Sequence, residues 1–299
     1  MSYRLTLTEP LDDELRRVAR EQLDDAIGHL RDPGEDRTKA VHEARKDIKK
    51  LRALLRLAGP GLPGSVRRRE NAALRDAGRL LSATRDADVL LATAADLRER
   101  YAGRLPADDF ALDEMLRAGA DGNGRGPASP GQTTAAAAGA LEAIAARVDT
   151  WPLRRLDARA VRTGAATAYR RGARAGRAAA RAADGHDAAW HDWRKRIKDL
   201  WYHERLLREL WPEVQKAHAA EVKRLSELLG DEHDLAVLAE ALGDDPIAVG
   251  PLIAERRAEL RDAARTLGRR VYAERPADAE RRLRRWWRAV RDDAPVMAS

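Results

Sequence analysis

A basic helical segment from Lys39 to Arg56 constrains this chain more than any other stretch. It reads K-A-V-H-E-A-R-K-D-I-K-K-L-R-A-L-L-R. At 3.6 residues per turn, basic side chains with a 3,4,3,4 spacing share one face: His42, Arg45, Lys49, Arg52 and Arg56. An apolar stripe with the same spacing lies further round the cylinder: Ala44, Ile48, Leu51 and Leu55. The segment therefore predicts a helix that packs on one side and carries positive charge on another.

The same pattern recurs later in the chain, from His191, as H-D-W-R-K-R-I-K-D-L-W-Y-H-E-R. Six residues are identical at one constant offset: His42/His191, Arg45/Arg194, Lys46/Lys195, Ile48/Ile197, Lys49/Lys198 and Leu51/Leu200. A weaker repeat relates L-L-S-A-T-R-D-A-D-V-L, which ends at Leu90, to L-L-G-D-E-H-D-L-A-V-L, which ends at Leu238. These repeats predict an internal duplication.

The predicted fold is all-α. Alanine, leucine and arginine dominate the sequence, and alternating runs of strand-forming residues are absent. We expect one domain over residues 4–290, made of two antiparallel helical bundles at 4–150 and 153–290 that are related by a pseudo-twofold axis. The glycine- and proline-rich stretch 122–131 predicts a flexible breaker. We further predict a short helix at 107–121 and a helix boundary at Gly230, between Pro212–Leu229 and Asp231–Leu242.

Composition and charge narrow the class of function. The chain has no cysteine, which excludes disulfides, thiolate metal sites and cysteine nucleophiles. It lacks an apolar N-terminal segment and any long apolar run, so we expect a soluble cytoplasmic protein. Residues 154–208 contain 15 basic and 6 acidic residues, a net charge of +9 compared with +7 for the whole chain. This concentration of charge, which includes an arginine stripe at Arg170, Arg174, Arg177 and Arg181, favours a polyanionic partner.

Several candidate residues also have ordinary structural interpretations. His42 and His191 lack a second histidine or acid at i+3 or i+4, so a metal site is not indicated; each either bonds to a neighbouring helix or donates to a phosphate. Acids near Asp86 and Asp234 favour helix capping and salt bridges over catalysis. Four tryptophans are typical of a bundle core, with base stacking as the alternative: Trp190, Trp193, Trp201 and Trp211.

The chain resembles the CHAD family, the conserved histidine α-helical domain. The resemblance is carried by V-H-E-A-R-K-D-I-K-K-L-R-A-L-L-R from Val41, R-R-R-E-N-A-A-L-R-D-A from Arg67, L-L-S-A-T-R-D-A-D-V-L from Leu80 and the second H-x-x-R-K-x-x-K from His191. It implies two pseudo-symmetric helical bundles whose basic surface or central pore binds inorganic polyphosphate, an association with polyphosphate granules, and no catalysis by the domain itself. Trp201 and Asp199 replace the basic residues found at Arg52 and Lys50 of the first copy, so the second copy is expected to contact less anion.

The sequence therefore predicts non-enzymatic binding of polyphosphate, without a metal or cofactor, with a nucleic acid as the alternative ligand. A phosphohydrolase or phosphotransferase is a third interpretation, which the absence of an E-x-E-x-K signature disfavours. The predicted binding residues comprise the basic positions of both copies and neighbouring arginines: His42, Arg45, Lys46, Lys49, Lys50, Arg52, Arg56, Arg75, Arg79, His191, Arg194, Lys195, Lys198, Arg174 and Arg177. The sequence leaves the oligomeric state open.

Overall fold

The computed structural model describes residues 3–81, 86–104, 130–182, 187–243 and 249–293. Within these ranges the chain is helical and contains no β-strand, so the all-α prediction is confirmed. The α-helices of the described ranges are α1 (Leu11–Arg31), α2 (Arg37–Leu57), α3 (Gly64–Leu80), α4 (Asp86–Arg100), α5 (Pro130–Val148), α6 (Ala158–Arg181), α7 (Asp187–Leu206), α8 (Pro212–Leu242), α9 (Val249–Val271) and α10 (Pro276–Asp293). Two short 3-10 helices lie at Gly59–Gly61 and Arg208–Leu210.

The first four-helix group consists of α1, α2, α3 and α5. Helix α1 packs against α2 and α5, and α3 packs against the same two helices, so the four surround one core. The predicted apolar stripe of α2 is buried in this core, with Ile48 and Leu51 no more than 3% exposed. Asp36 caps the start of α2 by accepting a hydrogen bond of 2.8 Å from the backbone N–H of Lys39.

The second four-helix group consists of α6, α7, α8 and α9. Helix α7 packs against α6 and α8, and α9 packs against α8 and α6. Trp190 and Trp193 of α7 fill the core of this group, each 2% exposed. Helix α4 crosses over to pack against α8, and α10 packs on α6. The two groups share an order of packing that fits the predicted duplication, which itself stays an interpretation.

Helix α2 is the element that joins the two groups, because it packs against both α6 and α7. At the crossing with α6, Gly164 lies directly against the backbone of Leu57, leaving no room for a side chain. Because glycine lacks a Cβ atom, the two helix backbones approach closely at this point. The basic face of α2 is consequently held at the junction between the groups.

The predicted helix boundary at Gly230 is wrong, since α8 continues without interruption from Pro212 to Leu242. Leu225 and Leu229 pack beside α7, while Leu235 and Leu238 pack with α4 and α9. This apolar surface on both sides of Gly230 outweighs the cost of about 1 kcal/mol for a glycine inside a helix. The acids that follow Gly230 therefore lie in mid-helix, and the prediction that they cap a helix start is also wrong.

The predicted helix at 107–121 lies outside the described residues, as does the breaker up to residue 129. Pro130 and Gly131, the last two residues assigned to the breaker, instead form the first turn of α5. Proline suits that position because the first N–H groups of a helix have no partner within the helix.

Candidate functional site

Four arginines from α2 and α3 form what we call the central arginine cluster: Arg52, Arg56, Arg75 and Arg79. Arg52 is half-buried, and its Nε donates a hydrogen bond of 3.1 Å to Oδ1 of Asn71 on α3. Burial lowers the pKa of Arg52, and the charges of the other three arginines lower it further, against the opposing charge of Asp199. The cluster therefore concentrates like charges that repel one another and that an anion would stabilise.

Asp199 of α7 supplies a carboxylate to the central arginine cluster from the other half of the molecule. Its Oδ1 lies 2.9 Å from Nη1 of Arg56, and its side chain is only 14% exposed. Burial raises the pKa of Asp199, while the surrounding arginines lower it. The pair borders a cleft of about 20 Å³, which also involves Arg171 and Arg196. This volume holds about one water molecule, so the cleft is an ion-pair junction and not a ligand pocket.

Lys46 and Lys50 lie beside the cationic face of α2, not on it. Nζ of Lys46 is 2.7 Å from the carboxylate of Glu43, and Nζ of Lys50 is 2.7 Å from that of Asp47. Lys50 is only 16% exposed and lies 5.8 Å from the centre of the Tyr3 ring. Each lysine follows a residue of the cationic face by one position, which rotates it by about 100° around the helix. The structure therefore groups these two lysines with local acids.

The remaining basic residues of α2 line the face that leads to the central arginine cluster. Nη1 of Arg45 donates a hydrogen bond of 2.6 Å to the backbone oxygen of Leu81, at the end of α3. His42 and Lys49 are half-buried on the same face. The charge of His42 helps to lower the pKa of Glu43, although the hydrogen bond from Lys46 is the larger cause. This face is thus fixed to α3 at both its middle and its C-terminal part.

His191 of the second copy stacks against His233 of α8, with ring centres 4.5 Å apart and a 38° angle between the rings. Burial lowers the pKa of His191, and the charges of Lys195 and Arg194 lower it further. Burial and the same basic group lower the pKa of His233 to about 4. Sequence reasoning did not single out His233. The weaker repeat contained the indication, because it aligns His233 with the basic residue Arg85.

Arg194, Lys195 and Lys198 form a second basic group beside this histidine pair. Nη2 of Arg194 on α7 lies 3.9 Å from Oδ1 of Asp234 on α8. Its counterpart in the first copy, Arg45 of α2, likewise contacts the following helix, at the Leu81 backbone oxygen. Lys195 is exposed and Lys198 is half-buried. All three contribute positive charge at His233, which shows that they lie near one another.

The arginine stripe of α6 is exposed, including Arg174 and Arg177. Neither of these two residues forms an ion pair with a described residue. Arg171 was not among the predicted binding residues, yet it is the arginine of α6 that lines the cleft beside Arg56 and Asp199. The face of α6 that carries Arg171 is therefore the one closest to the central arginine cluster.

The tryptophans divide between core and surface. Trp190 and Trp193 are buried, which confirms the core interpretation for both. Trp201 is partly buried beneath Arg205, whose guanidinium carbon is 5.2 Å from the ring centre. Trp211 is 50% exposed and packs edge-on against Trp286, so the core interpretation is wrong for Trp211.

The described residues contain no group of three or more histidine or acidic side chains placed to hold a metal ion. Asp234, for which the sequence favoured capping or a salt bridge, lies 3.9 Å from Arg194 as a salt-bridge partner. No helix in the described ranges is both long enough and apolar enough to cross a bilayer.

Comparisons with known proteins agree with this architecture. The model of the CHAD domain family matches residues 17–243. No curated protein sequence matches the chain. The solved structure of PptA from Streptomyces chartreusis is similar to this chain, with 18% identity and a TM-score of 0.60. The similarity covers 89% of this chain and 100% of the PptA chain. The crystal structure of the CHAD domain from the plant Ricinus communis is also similar, with 20% identity and a TM-score of 0.59. The similarity covers 92% of this chain and 95% of the Ricinus chain. The two likenesses concern the fold, and the family match extends from α1 through α8, over more than half of the chain, so the chain belongs to the CHAD family.

Proposed function

We propose that this protein binds inorganic polyphosphate along the basic faces of α2, α3 and α7. The observation that carries the proposal is the central arginine cluster, in which the pKa of Arg52 is lowered by burial and by three neighbouring arginines. A site that gathers like charges without an equal number of acids is stabilised by a bound polyanion. Membership of the CHAD family supports polyphosphate as that polyanion.

The chemistry of polyphosphate suits arginine rows on helices. Polyphosphate carries about one negative charge per phosphate and has no bases to stack on aromatic side chains. A guanidinium donates two parallel hydrogen bonds to the oxygens of one phosphate. Arginines four residues apart, such as Arg52 with Arg56 and Arg75 with Arg79, are separated by about 6 Å along the axis. A flexible chain can therefore place phosphates against both arginines of each pair.

Asp199 and the acids beside Lys46 and Lys50 limit the proposed path. We place the chain of phosphates over Arg45, Lys49 and the central arginine cluster, since Lys46 and Lys50 are held by their own acids. The second basic group of α7 extends the path towards His191. The proposed activity is binding without catalysis, and association with polyphosphate granules in the cytoplasm is part of the same proposal.

A charge-reversal series tests the site. Arg75→Glu/Arg79→Glu changes two exposed residues whose described ion pairs involve only Asp76. We expect size-defined polyphosphate to bind at least about a hundredfold more weakly at low salt, with a shallower dependence of affinity on salt. Lys49→Glu/Lys198→Glu should have a similar effect. The matched control is Arg269→Glu/Arg270→Glu on α9, which makes the same change in net charge at exposed positions. Equal losses in the control, or none in either site variant, would reject the proposed site.

Two further measurements separate this proposal from its rivals. In competition, polyphosphate should displace double-stranded DNA at a far lower phosphate concentration than the reverse. If DNA proves the stronger competitor, nucleic-acid binding replaces the proposal. If incubation with polyphosphate and Mg²⁺ releases orthophosphate or shortens the chain, an enzymatic function replaces it.

A further inference from the structure

Helix α10 follows the last residue that the CHAD family model matches and packs on α6. Its Ala279, Leu283 and Trp287 are buried, each at most 9% exposed. A second face carries exposed arginines at i, i+3, i+7 and i+10: Arg281, Arg284, Arg288 and Arg291. The docking of α10 therefore brings an arginine row beside the start of α6.

Arg162 of α6 lies where this row meets α6. Its Nε is buried and has no hydrogen-bond partner among the described residues. Burial lowers the pKa of Arg162, and Arg284 and Arg288 lower it further, while Glu280 and Asp157 oppose them. A buried donor without a partner destabilises the folded chain. An anion bound beside the half-buried guanidinium would offset the positive charge that surrounds it.

The acids near Arg162 do not balance the three guanidiniums. Asp157 is occupied as the cap of α6, where Oδ1 accepts a hydrogen bond of 2.7 Å from the backbone N–H of Ala160. Glu280 is the other acid that acts on Arg162. Arg284 and Arg288 are exposed and form no ion pair with any described residue. Arg281, in contrast, is paired with Asp278. The excess positive charge is therefore centred on Arg162, Arg284 and Arg288.

We propose that Arg162, Arg284 and Arg288 form a second oxyanion site, which binds one phosphate group. Arginine forks match the tetrahedral arrangement of phosphate oxygens, and the three side chains approach from two helices. The ligand class is a phosphate group, either as free orthophosphate or as part of an oligophosphate. The site does not use the central arginine cluster, so it can exist even if the proposed function of that cluster is wrong.

The Nε–H resonance of Arg162 provides a local test. We would record ¹H–¹⁵N spectra of the arginine side chains of the full chain at low salt and identify the signal from its loss in Arg162→Lys. Titration with orthophosphate, and separately with tripolyphosphate, should move this signal in a saturable way. A shift with both ligands assigns the site to phosphate itself. A shift with tripolyphosphate alone assigns it to oligophosphate, and both results support the proposal.

Three double variants give the test its specificity. Arg284→Glu/Arg288→Glu should weaken binding at Arg162 by about tenfold or more, because charged hydrogen bonds are lost. Arg269→Glu/Arg270→Glu has the same net charge and should leave the Arg162 titration unchanged. Arg75→Glu/Arg79→Glu should also leave it unchanged while weakening long-chain polyphosphate binding, which separates this site from the proposed function. Absence of a saturable shift, or an equal loss in the α9 control, would overturn the proposal.

Discussion

Arg56 of the first helical group and Asp199 of the second form an ion pair of 2.9 Å between Nη1 and Oδ1. In the repeat, Asp199 occupies the position that Lys50 occupies in the first copy. The second copy therefore differs from the first by supplying an acid to the place where α2 meets α7. This acid compensates part of the positive charge of the central arginine cluster when no ligand is bound.

Replacing Asp199 should consequently strengthen polyanion binding. Asp199→Asn removes one negative charge beside Arg56 with little change in shape, so we expect about three- to tenfold tighter binding of polyphosphate at low salt. The slope of log affinity against log salt concentration should become more negative by about one, because about one more counterion is released on binding. Fluorescence anisotropy with labelled polyphosphate measures both quantities.

The control for this prediction is Asp262→Asn on α9. Asp262 is 75% exposed and pairs with Arg265 along the same helix at 2.6 Å, so its replacement gives the same net charge without freeing Arg56. Weaker binding by Asp199→Asn, or equal gains in both variants, contradicts the assigned role. Urea unfolding of each variant would show whether the loss of the ion pair also lowers stability.

The periodicity of the sequence predicted the helix faces because they depend on local geometry. The cationic face of α2 and the buried Ile48 and Leu51 follow directly from 3.6 residues per turn. The counterion at Asp199 could not be predicted in this way, since it comes from a helix about 140 residues away and depends on how the two groups pack. For the same reason the central arginine cluster was predicted residue by residue, but not as a unit with Arg171 and Arg196.

Predictions from local sequence were wrong where tertiary contacts determine helix length or side-chain burial. Gly230 resembles a helix boundary in sequence, yet α8 continues through it because apolar residues on both sides are buried. Trp211 resembles a core residue, yet it follows the end of α7 and stays half exposed. That Lys46 and Lys50 bind the ligand stays a prediction, and both have an acid three residues earlier in the sequence.

The histidine pair should make polyphosphate binding depend on pH. His191 and His233 both have lowered pKa values, that of His233 being about 4, so at pH 7 both rings are predominantly neutral. A bound polyanion would offset the neighbouring positive charges and raise both pKa values, so binding takes up protons. We expect affinity to rise as pH falls from 7 to 5, by about tenfold, when measured at constant ionic strength.

His191→Gln/His233→Gln should remove most of this dependence and leave affinity at pH 7 nearly unchanged. His29→Gln, which changes a half-buried histidine on α1, should retain it. An unchanged pH profile in the double variant would show that other groups take up the protons.

His203 should make the stability of the fold depend on pH. It is 1% exposed, its Nε2 lies 2.9 Å from the backbone oxygen of Ala53, and burial lowers its pKa to about 4 from 6.5. The neutral ring donates this hydrogen bond. The unfolded chain binds a proton at higher pH than the folded chain does, so stability is complete above pH 6.5 and is lost as pH falls towards 4. The expected loss in the free energy of unfolding is about 3 kcal/mol.

Urea titrations at several pH values between 7 and 4 would measure this loss. His203→Gln keeps an N–H donor for Ala53 but does not titrate, so its free energy of unfolding should change less over this range, whatever its value at pH 7. His29→Gln should retain the dependence of the original chain. A slope that is unaffected by His203→Gln would show that the acid sensitivity arises elsewhere.

The contact between Gly164 of α6 and Leu57 of α2 should be highly sensitive to substitution. This contact holds the two helices, and so the basic face of α2, in position. A Cβ atom at Gly164 would clash with the Leu57 carbonyl oxygen and lie 2.8 Å from its carbonyl carbon, so α6 and α2 must separate. Gly164→Ala is expected to lower the free energy of unfolding by about 1–3 kcal/mol, as overpacking does, and to weaken polyphosphate binding because Arg56 loses its position. Gly139→Ala on α5 is the matched control, because no atom lies within 4 Å of its added Cβ, and it should stabilise the chain by about 0.4–1 kcal/mol. Equal stability of the two variants in urea would show that the helices separate freely, and that the close approach does not fix the site.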